Sequence, residues 1–224
     1  MPIWRFKAGD FISPFEAMGL SAFVIRPGSE TDHELSSRPG FVSRWKARRA
    51  TRRLRNAIER EFGRSITWND EGELVFAERA YGFQSIQAFA KWFDYRDLFP
   101  TFEAPLDGRY YHHPVMSGEL TRPHTYRQIV DHSCYSGYYI PCDLDRVVYV
   151  EPFQTWGGIQ FFHSVGSSNR LLLELEQLAQ SLNVDSEYEW CNDDPLADVK
   201  ASFALLYRIA KTSCEQNLPI VFDG

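Results

Sequence analysis

The sequence predicts an α+β fold: a single domain over residues 1–224, with a largely antiparallel sheet, a basic helix in the N-terminal half and two helices near the C-terminus packed on the sheet. Three observations carry this expectation. Short apolar-aromatic runs of strand length fill residues 124–164, reading HTYRQIVDHSCYSGYYIPCDLDRVVYV and, beyond EPFQTWGG, IQFFHS. They have the look of an antiparallel meander. The clearest amphipathic helix of the chain follows them, and an arginine-rich segment with helical spacing precedes them.

In chain order, IWRFKA and LSAFVIR read as short strands around the turn-rich FISPFEAMG. Residues 27–40, bounded by Pro-Gly at both ends, read as a surface loop. The segment beyond places Ala47, Ala50, Leu54, Ala57, Ile58 and Phe62 on one arc at about 100° per residue, with arginines opposite and Gly63 as the stop. Trp45 falls within the basic face, beside Arg48, Arg49, Arg52 and Arg53. SITW, NDEG and ELVFAE read as a hairpin, with Ile66 and Trp68 answered by Leu74 and Phe76. FQSIQAFAKWF is a short helix with Ser85 as a candidate cap.

Periodicity then disappears over about 94–123, a long irregular loop punctuated by prolines and dense in Phe, Tyr and His. After the meander, Gly166-Ser167-Ser168 caps a helix whose seam is Leu171, Leu175, Leu178 and Leu182. Burying each such leucine is worth about 1.5–3 kcal/mol, so this helix belongs to the core. Asp194-Pro195 reads as the start of a last helix along Leu196, Val199, Phe203, Leu206, Ala210 and Cys214. Leu218 to Phe222 closes the chain as a strand.

Composition narrows the function classes. Hydrophobic residues at 44% and charged residues at 24% are ordinary globular values, whereas aromatics at 15% exceed what a plain core needs and favour half-buried, partner-facing positions. The N-terminal MPIWRFKAGDF lacks the basic-then-apolar pattern of a secretory signal, and no window of 18 apolar residues exists. With four cysteines and no disulfide framework, the expectation is a cytoplasmic protein with reduced thiols, away from any membrane.

The net charge of −6 conceals a division. Residues 44–64 hold nine basic side chains against Glu59 and Glu61, a local +7, and the remaining 15 basic and 28 acidic residues give −13. The acidic excess peaks where Asp185, Glu187, Glu189, Asp193, Asp194 and Asp198 interleave with Tyr188, Trp190 and Leu196.

Chemistry-bearing residues offer weaker signals. His112, His113, His124, His132, Cys134, Cys142 and His163 could supply zinc ligands, yet no C-x-x-C or H-E-x-x-H spacing occurs, so no metal and no cofactor is expected. Cys134 with His132, His163 or His113 as base would make a thiol hydrolase, but no nucleophile elbow surrounds it, and a buried thiol acting as a small hydrophobe is the commoner use. The arginine face with Trp45 could lie along phosphates, but the remaining −13 opposes a polyanion.

Partner recognition needs only a surface. Carboxylates steer a basic protein and rings supply the anchoring contacts. The sequence therefore favours a non-enzymatic binding protein, of the immunity or antitoxin kind, docking a basic protein through Asp185, Glu187, Tyr188, Glu189, Trp190, Asp193 and Asp194. A Cys/His-centred hydrolase or zinc enzyme and a nucleic-acid binder using the 44–64 helix stand as the alternatives.

Overall fold

The computed structural model describes residues 20–24, 41–69, 75–80, 83–98, 123–133, 136–156 and 159–223, with only the backbone described over 41–48 and 151–162 and at a few further strand and helix positions. The expected strand at IWRFKA, the 27–40 loop, residues 70–74 of the expected hairpin, residues 99–122, Cys134 and His113 lie outside these residues.

The α+β expectation holds. Among the described residues, six strands form one mixed, mostly antiparallel sheet: β1 (Leu20–Val24), β2 (Phe76–Ala80), β3 (Gly137–Ile140), β4 (Val148–Trp156), β5 (Ile159–Ser167) and β6 (Ile220–Asp223). Their spatial order is β2-β1-β6-β3-β5-β4. The C-terminal strand is thus interior, antiparallel to β1 on one side and to β3 on the other.

The helices are α1 (Phe41–Phe62), α2 (Phe83–Tyr95), the single turn α3 (Arg127–Val130), α4 (Ser168–Leu182) and α5 (Ala197–Gln216). The basic helix and the two C-terminal helices are where the apolar spacing put them. Gly63 ends α1 at φ +62°, a conformation that glycine adopts without a Cβ penalty.

Local order differs from expectation at several points. Residues 124–164 contain a β4–β5 hairpin, but β3 lies beside β5 in parallel, so the segment is not a simple meander. Its first part is the turn α3, held by Glu174 and by Asp94, which accepts from Thr125 N at 2.7 Å. Residues 65–69 form no strand; β2 pairs with β1, and Ile66 and Trp68 are buried as coil because burial, not pairing, is what their alternation encodes. Ser85 lies inside α2, which begins at Phe83. Asp194 precedes α5 by a turn: its Oδ1 accepts from Leu196 N at 2.9 Å, and the helix proper starts at Ala197.

The sheet separates two cores. On one face α2, α4 and α5 pack Phe89, Leu171, Leu175, Leu178, Phe203, Leu206 and Ile209 against Ala22, Val24, Tyr139, Ile220 and Phe222. On the other, α1 lays Leu54, Ala57 and Ile58 over Ile140, Val148, Val150 and Val165, with Ile66 and Trp68. Successive strand residues point to opposite faces, which is why Tyr139 joins the first core and Ile140 the second. Val184, Tyr188 and Leu196, from the acidic stretch, pack on the three-helix side. The basic helix and the acidic stretch therefore belong to opposite faces of one sheet.

Candidate functional site

The stretch between α4 and α5 is built inward from Asp194. Its Oδ2 accepts from Lys200 Nζ at 2.8 Å and from the Tyr188 hydroxyl at 2.9 Å, while Oδ1 takes Leu196 N. Lys200 also lies 5.6 Å from the Tyr188 ring centroid. The Lys200 ammonium holds the Asp194 carboxyl below its ordinary range, with the Leu196 amide and the Tyr188 hydroxyl adding to it. Loss of hydration, with the adjacent carboxylate, pushes the Tyr188 phenol up to about 12. At the start of the stretch Arg208 donates to Ser186 O at 3.1 Å and pairs with Glu78 on β2 at 3.0 Å. Tyr188 and Asp194 thus serve as the frame of the loop.

What the frame presents is different. Asp185, Glu187, Glu189, Asp193 and Asp198 are exposed, and among the described residues no ion pair reaches any of them. Trp190 is 55% exposed, an unusual position for an indole, and its Nε1 donates to Asp198 Oδ1 at 3.0 Å. That bond fixes the ring beside a carboxylate with one apolar surface left to solvent. Asp185 accepts from Glu187 N at 2.9 Å, which curls the chain and keeps the two side chains on one turn.

The basic face is equally organised. Arg49, Arg52, Arg53 and Arg60 are exposed along α1. Arg55 turns inward, its guanidinium 4.6 Å from the Trp68 ring centroid. The two acidic residues of α1 are engaged elsewhere: Glu61 pairs with Arg146 at 2.9 Å, and Glu59 accepts from Ile66 N at 3.0 Å. Trp45 and Arg48 fall where only the backbone is described. The 185–198 carboxylates and the 44–64 arginines form no ion pair among the described side chains, because the sheet stands between them.

The described histidines, His124, His132 and His163, do not gather at one site. His132 is 3% exposed and its ring stacks on Tyr139 with centroids 4.0 Å apart. Its Nδ1 meets Ser133 O at 2.8 Å and its Nε2 meets Tyr138 O at 3.2 Å. Burial lowers its pKa to about 4 although both carbonyls favour the proton. Ser164 Oγ lies 3.2 Å from the ring and donates to Ser136 O, making a buried polar knot. His163, the neighbour of Ser164, is on the other face against the Tyr138 ring. Among the described residues no three His, Cys, Asp or Glu side chains gather as a cation would require. None of the helices among them is long and apolar enough to cross a membrane.

Sequence reasoning passed over Lys200, Gln128 and Glu174. Glu174 accepts from Gln128 N at 2.9 Å and Ile129 N at 3.1 Å, capping α3 from α4. Burial raises its pKa to about 8 against the pull of those amides. Its only signal is a carboxylate beside a leucine seam.

The α+β scaffold thus turns carboxylates and an indole to solvent along the 185–198 stretch and arginines to solvent along α1, two charged surfaces on opposite faces of the sheet. Over residues 52–222 the chain matches the family model described as "Putative DNA-mimic protein", and it belongs to that family. The matched region runs from the second half of α1 to β6 and includes the whole acidic stretch. No curated protein and no solved structure matches the chain.

Proposed function

We propose that the protein is a non-enzymatic inhibitor that occupies the DNA-contacting surface of a basic, DNA-binding protein, in the manner of an antitoxin or immunity protein. Membership of the DNA-mimic family supports the class of partner. The observation that carries the site is the set of exposed carboxylates at Asp185, Glu187, Glu189, Asp193 and Asp198 around the exposed Trp190. A protein that grips DNA aligns lysines and arginines with phosphates and offers faces on which bases stack. Carboxylates fixed on a folded loop attract the same cations, and the indole supplies the apolar ring.

Tyr188 and Asp194 hold the loop's shape in this reading, and Asp185, Glu187, Glu189, Trp190 and Asp193 make the contact. The test is capture of host proteins on the immobilised chain, followed by elution with duplex DNA. The expected result is a stoichiometric DNA-binding protein that duplex DNA releases. It should not be retained by a Glu187→Gln, Glu189→Gln, Asp193→Asn variant. Retention of the same protein by that variant, or its failure to elute with DNA, would remove the reading.

A further inference from the structure

The exposed arginines described on α1 form one stripe. On a helix of about 100° per residue, Arg49, Arg52, Arg53, Asn56 and Arg60 fall within an arc of about 100°, opposite the buried Leu54 and Ile58. From Arg49 to Arg60 it runs about 16 Å. Arg52, Arg53 and Arg60 have no hydrogen bond or ion pair among the described residues. Glu59 and Glu61, which could have neutralised them, are drawn aside by Ile66 and Arg146. Beyond the helix, Arg64 is tied to the carbonyl of Asp143. Arg52, Arg53 and Arg60 thus form a cationic ridge with no counterion among the described residues.

A cationic ridge of this length is what an acidic, DNA-like surface is shaped to receive, and this chain carries such a surface. It cannot satisfy itself. The acidic stretch packs with the three-helix core and α1 with the opposite one, so the sheet prevents any intramolecular meeting. Two copies are under no such restriction. We propose that the α1 stripe is a docking site for the Asp185–Asp198 surface of a second copy of this chain, giving a head-to-tail association. A contact between two different patches leaves one free end of each kind, so it extends or closes a ring rather than stopping at a symmetric pair. Free nucleic acid is the less favoured occupant, because the −13 carried outside residues 44–64 opposes approach of a polyanion.

The contact is made of exposed charges, individually weak and screened by salt, with Trp190 available to a guanidinium. It therefore forms at high protein concentration and low ionic strength. By covering the acidic surface, it withholds that surface from other partners. The inference rests on the proposed role of the acidic stretch, and the experiment keeps the two apart.

Sedimentation velocity of the full chain over about 1–200 μM protein should show association in about 0.05 M NaCl, with the association constant falling at least about tenfold by about 0.5 M. An Arg52→Gln, Arg53→Gln, Arg60→Gln variant and the Glu187→Gln, Glu189→Gln, Asp193→Asn variant should each be monomeric. Mixed, they should form a one-to-one dimer and nothing larger, since each retains one competent patch. The stripe variant should still capture the DNA-releasable partner. A wild-type chain monomeric throughout, or variants that associate as it does, would overturn the inference even where partner capture survives. Binding of a fluorescent duplex DNA that is abolished in the stripe variant, with no self-association, would overturn it by assigning the ridge to nucleic acid. Self-association without partner capture would instead count against the inhibitor reading alone.

Discussion

The knot around His132 and the stretch Asp185–Asp198 are both dense in ionisable groups, and they dispose of them in opposite ways. His132, Ser164, Gln128 and Glu174 are turned into the structure, where amides and carbonyls satisfy them. Tyr139 donates to Gln128 O at 2.6 Å, and the Gln128 side chain accepts from Ser167 N at 2.7 Å, the residue that also caps α4. The acidic stretch spends one carboxylate, Asp194, on its frame and leaves the others facing water. The strongly shifted pKa values of His132 and Glu174 mark construction. Perturbed titration points to a site only where a cavity accompanies it.

The largest effect that would break this contrast lies at Gly137. Its φ is +142°, and a Cβ there would sit 2.3 Å from the Ser164 carbonyl and 3.0 Å from the His132 ring. Gly137→Ala is expected to cost about 3 kcal/mol in chemical denaturation, since backbone and not a flexible tip must move. A loss below about 1 kcal/mol would mean the knot is looser than described.

Next comes acid sensitivity. His132 titrates near 4 folded and near its ordinary 6.5 unfolded, so between those values the unfolded chain binds the extra proton and stability falls as pH falls. The loss is on the order of 3 kcal/mol by pH 4, and His132→Gln should abolish that slope. Glu174, with a folded pKa of about 8, has the opposite sign: stability falls as pH rises from its unfolded value towards 8. Glu174→Gln should flatten the alkaline side of the profile.

At the frame of the acidic stretch, Lys200→Met should cost about 1 kcal/mol, because Asp194 retains its two other donors. The depressed Asp194 pKa stabilises the fold above the unfolded carboxylate range and is lost as pH falls through its folded value, so this variant should also be less acid-labile. Smallest is the surface itself. Glu187→Gln, Glu189→Gln, Asp193→Asn should change stability by no more than about 0.5 kcal/mol while removing partner capture. A stability loss as large as that at Gly137 would erase the contrast.

The elements were legible in the sequence wherever burial is periodic. The α4 seam and the apolar arc of α1 named their own buried residues, and Ser167 declared its cap. Strand neighbours were not legible, since nothing local tells β3 to lie beside β5 or β6 to enter the middle of the sheet. The Ile66–Trp68 alternation misled for the same reason: alternate burial arises in coil whenever a core waits on one side. The polarity of the molecule was visible as blocks of charge, but that a sheet divides them is a property of topology. Lys200 was invisible because a single lysine in an apolar helix becomes a counterion only when the preceding loop folds back to it.

The central claim is that the acidic surface stands in DNA's place, and competition tests it most directly. With the captured DNA-binding partner bound to a labelled duplex, increasing amounts of this protein should raise the apparent Kd for DNA in proportion to its concentration, with complete release at saturation. A ternary complex in which duplex and protein occupy the partner together would contradict it.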